Sequence, residues 1–308
     1  MSTVFLYAGQ GSQKVGMGKD FYDNYETYRD FVDSVKLDFD FKELMFNGPL
    51  EKLSQTEYTQ GCMAVHAAGV TKLLLANGIK PEAACGLSLG EYGALYAAGV
   101  FDAETYVNIT AFRGRVMMEA ARGCQCSMSA ILGLEPDVVK EECDACSNGF
   151  VTVANYNCPG QYVICGDENA VTDTEERLKA RGAKRCVRLN VSGPFHTKYM
   201  EPAGVALRKY LEKTELNEPQ IPVALNVTGS LYNGENLVDN LEKQVCNSVQ
   251  LESDLRALIN AGGDRFIEIG PGNAVSGFLR KTAKAMGRTI TAISLDKAED
   301  IEKYLSDQ

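Results

Sequence analysis

Gly86-Leu87-Ser88-Leu89-Gly90 sets a hydroxyl between two glycines in the G-x-S-x-G spacing of a nucleophile elbow. A serine hydroxyl attacks poorly until a base takes its proton, and the chain holds only two histidines. His66 stands beside Val65, Ala67 and Ala68 in a helical stretch and reads as a packed helix residue. His196 follows Ser192-Gly193-Pro194-Phe195, a stiff loop of the kind that carries functional side chains, and is the candidate base. Attack on an acyl carbon also needs donors for the oxyanion, each typically contributing ~3 kcal/mol. The N–H of Leu89, at the start of a helix, offers one such donor. The N–H of Gln10 in Gly9-Gln10-Gly11 offers a second. The chemistry these residues suit is acyl transfer through a covalent ester on Ser88. Arg113, flanked by Ile109, Phe112, Val116 and Met117, adds a cation on the apolar side of a helix. Either a structural carboxylate answers it or the substrate brings its own.

The elements that must position these groups alternate between strand and helix. Residues 3–8 form a short apolar strand that runs into the Gly-rich loop 9–13, and 60–77 have helical periodicity up to Asn77-Gly78. Residues 83–86 read as a buried strand, 89–98 as a helix, and Asp102 caps a helix through about 121. This rhythm predicts a mainly parallel sheet covered by helices on both faces, α/β-hydrolase-like in class. From 124 the pattern changes to strand 127–132, helix 136–146, strands 150–154 and 161–165, helix 170–180 and strand 184–191. That βαββαβ order is ferredoxin-like. The expected organisation is therefore a large domain in two parts, 1–123 and 193–308, with 124–192 inserted as a small subdomain. In the second part we expect helix 198–213, strand 223–227, helices near 237–245 and 250–261, strand 265–269, helix 274–285 and strand 291–295.

Composition narrows the function classes. A net charge of −10 over 308 residues disfavours nucleic acid and anionic membrane surfaces as partners. No apolar run reaches the roughly 18–20 residues of a membrane span, and the N-terminal residues read as a strand instead of a signal peptide. Ten cysteines scattered along such a chain suit reduced thiols in the cytoplasm better than a disulfide scaffold. Cys124, Cys126, Cys143 and Cys146 lack the usual zinc spacing and read as small buried hydrophobes. The loop 9–13 begins like a dinucleotide fingerprint, but Lys14 occupies the third glycine position. Neither a metal nor a cofactor is expected. Arg177, Lys179, Arg181, Lys184, Arg185 and Arg188 form one basic strip, either a solvated face or a docking site for an acidic protein.

Several motifs in one order carry a more specific reading. Residues 9–13, Thr59-Gln60, 86–92, Arg113-Gly114, Asn155 with 157–161, 193–196 and 268–272 together resemble the malonyl-CoA:acyl-carrier-protein transacylase family and the related acyltransferase domains of polyketide synthases. The match spans nearly the whole chain. It implies transfer of malonyl from malonyl-CoA to the phosphopantetheine thiol of acyl carrier protein through malonyl-Ser88, in fatty-acid or polyketide synthesis. It further implies that His196 is the base, that Arg113 grips the free carboxylate, and that Gln10 and Leu89 amides hold the oxyanion. Gln250 matches the glutamine-bearing loop that orients the histidine in the family. Gln60, Met117, Asn155 and Phe195 would line the acyl pocket, with Phe195 and Met117 leaving little room for an α-methyl branch. Lys184 and Arg185 would meet the carrier protein. Two departures stand out: Leu87 replaces a common histidine, and Ser248 a common proline.

Two other classes compete. A serine hydrolase on the same elbow would place an acid and then a histidine late in the chain, whereas here His196 falls mid-chain after the insert. A non-enzymatic platform for carrier protein would not need Ser88, His196 and Arg113 together.

Overall fold

The computed structural model describes residues 2–190 and 193–306. Strand β1 (Ser2–Tyr7) is buried from Val4 onward, as its unbroken apolar run requires for a strand covered on both faces. Helix Thr56–Ala76 follows, apolar almost all round, and leads to β2 (Ala83–Gly86). Helices Leu89–Ala97 and Ala103–Ala121 come next, the latter capped by the Asp102 carboxylate on the Thr105 N–H. The chain then builds β3 (Cys126–Leu132), β4 (Val151–Cys158), β5 (Gln161–Asp167) and β6 (Arg185–Arg188). A short hairpin of β7 (Ala224–Leu225) and β8 (Ser230–Leu231) precedes β9 (Gly263–Ile269) and β10 (Thr291–Leu295).

The main sheet is parallel in the order β10-β9-β1-β2. Its register matches Tyr7 with both Gly86 and Ile269, so the carboxyl ends of three strands finish level. The loops that leave them share one edge, where open α/β sheets hold their ligands. The second sheet is antiparallel, β4-β5-β3-β6, with helices Pro136–Asp144 and Glu168–Ala180 on one face. Ile131, Val139, Val153, Ile164 and Leu178 pack together there. Met128, Ala130 and Val163 turn to the opposite face and join the main core. The α/β class with a four-stranded parallel sheet and a four-stranded antiparallel one is thus the architecture observed.

Several expected bounds shift. The strand expected at 184–191 is ordered as Arg185–Arg188, with Val191 outside the described residues. The helix expected at 198–213 opens as a 3-10 turn, Lys198–Met200, and continues as Glu201–Leu211. Of the expected strand 223–227 only Ala224–Leu225 forms a hairpin, while Val223 makes a single parallel bridge to Ala84. Four short helices between Lys19 and Leu53 were not anticipated. Among the described residues no helix is long and apolar enough to cross a membrane, and no group of three metal-ligating side chains gathers. All ten cysteines carry free thiols.

Candidate active site

Ser88 sits between β2 and helix Leu89–Ala97 with φ 53° and ψ −98°. Among the described residues only Ser88 and His196 (φ 59°) combine a side chain with positive φ. Such backbone costs about 1–3 kcal/mol per residue and persists only where surrounding structure enforces it. The flanking glycines make the turn possible. A Cβ on Gly86 would lie 1.9 Å from the Gly90 carbonyl carbon, and one on Gly90 2.2 Å from the Tyr7 oxygen. The strand and helix of the elbow therefore touch backbone to backbone, and the hydroxyl is left at the sheet edge.

The two strained residues meet. His196 Nε2 lies 2.7 Å from Ser88 Oγ. On the other side of the ring, Nδ1 lies 2.8 Å from the carbonyl oxygen of Gln244. A carbonyl can only accept, so Nδ1 carries the proton and Nε2 is free to take the one from Ser88. Burial, reinforced by the nearby Arg113 charge, lowers the His196 pKa to about 4, so the ring is neutral at pH 7 and ready to act as a base. The residue that orients His196 is thus Gln244, through its backbone, and not Gln250. Gln250 directly precedes helix Leu251–Asn260 and gives its own N–H to the Asn226 carbonyl. Its neighbour Val249 exchanges backbone bonds with Tyr156 and Ala154, tying β4 to the chain that enters helix Leu251–Asn260. That segment is a structural seam.

Arg113 is 1 % exposed and forms no ion pair among the described residues. One terminal nitrogen donates to Gln60 Oε1 at 2.8 Å; the other donates to Gln244 Oε1 at 2.9 Å and to Ser88 Oγ at 3.1 Å. Its guanidinium lies 5.3 Å from the centre of the Tyr92 ring, a cation–π contact. Neutral oxygens take its terminal nitrogens, and its Nε has no partner among the described residues. The buried Glu91 acts on it through its field without pairing, so the cation lacks a direct counter-ion, which is costly in a buried site.

A cavity of about 430 Å³ opens above this group, and Ser88, His196, Arg113, Gln10, Gln60, Met117, Asn155 and Phe195 all line it. The Gln10 side chain donates to Thr56 Oγ1 at 2.9 Å, while Gln60 Nε2 contacts Gln10 Oε1 and Met117 Sδ. Among the described residues no acceptor takes the backbone N–H of Gln10. At the elbow the Gly90 and Glu91 N–H groups bond back to Leu87 and Ser88, and Leu89 N–H stays open at the helix start. Leu87, in the histidine position, packs its side chain against Gly9 at the root of the Gln10 loop. His66 is a buried helix residue bonded through Nδ1 to Tyr28 Oη at 2.9 Å. Three of the six cations of the basic strip are neutralised by ion pairs. Arg177 and Arg181 pair with Glu142, and Arg188 pairs with Glu168 and Glu175. Lys184 and Arg185 have no ion pair among the described residues.

Sequence reasoning passed over the polar layer beneath the elbow. Gln244 Nε2 donates to the Ser88 carbonyl at 2.7 Å and Asn226 Oδ1 accepts the Ser88 N–H at 2.7 Å, and the buried Glu91 accepts from both the Gln244 side-chain amide and the Asn226 backbone N–H. Burial pushes the Glu91 carboxyl up to about 7 despite those bonds. Glu91 did lie in the quoted 86–92 motif. Asn226 and Gln244 offered no signal beyond a polar residue in an apolar or amphipathic run.

Residues 4–304 match the family described as acyl transferase domain. The malonyl CoA-acyl carrier protein transacylase of Staphylococcus aureus (strain MRSA252) is 36% identical over 307 residues, covering 98% of each chain. The crystal structure of the enzyme of that name from Clostridium perfringens Atcc 13124 aligns with a TM-score of 0.94 at 38% identity, covering 100% of this chain and 97% of the other. A malonyl-transacylase solved in complex with its type II PKS acyl-carrier protein aligns at 0.93 with 30% identity, over 100% of both chains. With its elbow serine, histidine and buried arginine in one cavity and these relatives along its whole length, the chain belongs to the malonyl CoA-acyl carrier protein transacylase family.

Proposed function

We propose that the protein carries malonyl from malonyl-CoA to the phosphopantetheine thiol of an acyl carrier protein through an ester on Ser88. The observation that carries this reading is Arg113, a buried cation 3.1 Å from the nucleophile that forms no ion pair among the described residues. Malonate supplies that carboxylate on the far side of the reacting carbonyl. In the first half-reaction Ser88 Oγ attacks the thioester carbon while His196 Nε2 takes the hydroxyl proton. The N–H groups of Gln10 and Leu89 receive the oxyanion. The C–S bond then breaks and CoA leaves as the thiol with the proton from His196. In the second half the carrier thiol gives its proton to His196 and attacks the ester. Ser88 recovers its proton as malonyl departs on sulfur. A neutral carbonyl behind His196, in place of a carboxylate, suits the thiol steps, in which CoA leaves and the carrier attacks with little proton assistance, while the Ser88 oxygen that leaves in the second half takes its proton from His196. The scheme calls for no metal or cofactor.

Phe195 and Met117 on the cavity wall support malonyl over methylmalonyl, and Gln60 and Asn155 complete the polar part of the pocket. Lys184 and Arg185 would meet the acidic carrier protein. We place this activity in the cytoplasm, in fatty-acid or polyketide synthesis, and take 124–192 as the inserted unit between 1–123 and 193–308. The test compares malonyl and acetyl transfer to a holo carrier protein by wild type and Arg113→Ala. Malonyl kcat/KM should fall by roughly 10²–10³-fold while acetyl transfer holds or improves, because only malonyl answers the charge. Equal losses for both acyl groups would make Arg113 structural, and free CoA without acyl carrier protein would point to a hydrolase.

A further inference from the structure

The free edge of β2 ends beside a buried asparagine. On one side β2 pairs with β1 up to Gly86; on the other, among the described residues, a single bridge joins Ala84 to Val223. Beyond that bridge two groups of the elbow, the Gly86 carbonyl and the Ser88 N–H, are satisfied by one side chain. Asn226 Nδ2 donates to the Gly86 carbonyl at 2.8 Å and Asn226 Oδ1 accepts the Ser88 N–H at 2.7 Å. The carboxamide thus stands in for a missing strand across the elbow itself. Its own ends are fixed: the backbone N–H goes to Glu91 Oε2 at 3.0 Å, and Nδ2 also reaches Asp254 Oδ2 at 2.8 Å. Asn226, Glu91 and Asp254 are all fully buried. Because Asp254 offers an oxygen to the amide nitrogen, it decides which end of the amide faces Ser88. Reversed, Asn226 would set its NH₂ against the Ser88 N–H and its oxygen against the Gly86 carbonyl.

We propose that Asn226, oriented by Asp254, is a positioning residue of this enzyme, holding the elbow in the strained backbone conformation that presents Ser88 Oγ to His196. This rests on Ser88 being the nucleophile, as set out above. Neither residue touches the cavity, so their effect must pass through the backbone of Ser88. A relaxed φ at Ser88 would swing the hydroxyl off the imidazole, and a misplacement of about 1 Å is enough to cost ~10²-fold in rate.

The experiment measures the rate at which Ser88 is modified, by intact mass, with a fluorophosphonate in one arm and malonyl-CoA in the other. Asn226→Leu, close in volume, should remain folded by circular dichroism yet react about a hundredfold more slowly in both arms, with the KM for malonyl-CoA little changed. If Asn226→Leu does not fold, Asn226→Asp decides: it keeps an acceptor for Ser88 but loses the donor to Gly86 and Asp254, and should also be slowed. Asp254→Asn keeps an acceptor for the amide and should react like wild type, whereas Asp254→Leu should be slow. Folded Asn226 variants that take the fluorophosphonate at the wild-type rate would overturn the proposal. A wild type that takes the fluorophosphonate but no malonyl refutes the malonyl reading instead, and the fluorophosphonate ratio alone then judges Asn226.

Discussion

At Ser88 the hydroxyl oxygen faces a donor and an acceptor at once, Arg113 at 3.1 Å and His196 at 2.7 Å. The cation draws negative charge toward the oxygen and holds the imidazole neutral, since burial and Arg113 together bring His196 to about 4. The base must be unprotonated to work, so activity is lost only as pH falls through that value. The acid limb of kcat/KM, measured for malonyl transfer, should bend near pH 4 instead of near the ordinary histidine value of about 6.5. A limb near 6.5 would show that His196 is solvated in the working enzyme. Ser88, His196 and Arg113 were legible in the sequence because their chemistry lies in side-chain type, scarcity and apolar surroundings. Gln244 was not. It orients His196 through a carbonyl that every residue has, so the glutamine of Ser248-Val249-Gln250 drew the role without making the contact.

The elbow works as an element only because strand, turn and helix approach closer than side chains permit. Gly90→Ala would set a Cβ 2.2 Å from the Tyr7 carbonyl oxygen, backbone that cannot step aside. This variant should melt well below wild type and lose Ser88 acylation. Gly277→Ala is the control, because its Cβ would meet nothing within 4 Å. In helix Ala274–Ala285 it should gain about 0.5–1 kcal/mol, read as a higher Tm, with transfer unchanged. Equal melting of the two variants would contradict the packing argument. Elements with long periodic or apolar runs, such as helix Ala274–Ala285 and strand Thr291–Leu295, were legible at their observed bounds. The helices between Lys19 and Leu53 were not, since runs of 4 to 9 residues carry too few turns to establish a period.

Over the whole molecule the cavity lies between two sheets, its floor the carboxyl edge of the parallel one and its wall the Met128, Ala130 and Val163 face of the antiparallel one. The alternation on β3 and the Asn157-Cys158-Pro159-Gly160 turn before β5 made that second sheet readable, but not which face would close the site. The linear basic strip was misleading in another way. Acids distant in sequence, Glu141, Glu142, Glu168 and Glu175, fold onto its arginines. With a net charge of −10, attraction for an acidic carrier must be local, and Lys184 and Arg185, at the start of the edge strand, are with Lys179 what the strip leaves free of ion pairs among the described residues. Reversing both to glutamate should raise the carrier-protein KM about tenfold at low salt and less at high salt. The malonyl-CoA KM should not move. If both constants stay unchanged, the carrier docks elsewhere.

The covalent ester on Ser88 is the claim on which the rest depends. Intact-mass analysis of the protein mixed with malonyl-CoA in the absence of carrier protein tests it directly. One added malonyl group is expected, carried on Ser88, absent in Ser88→Ala, and discharged when holo carrier protein is added. No adduct on the wild-type protein, or an adduct that survives in Ser88→Ala, would contradict it.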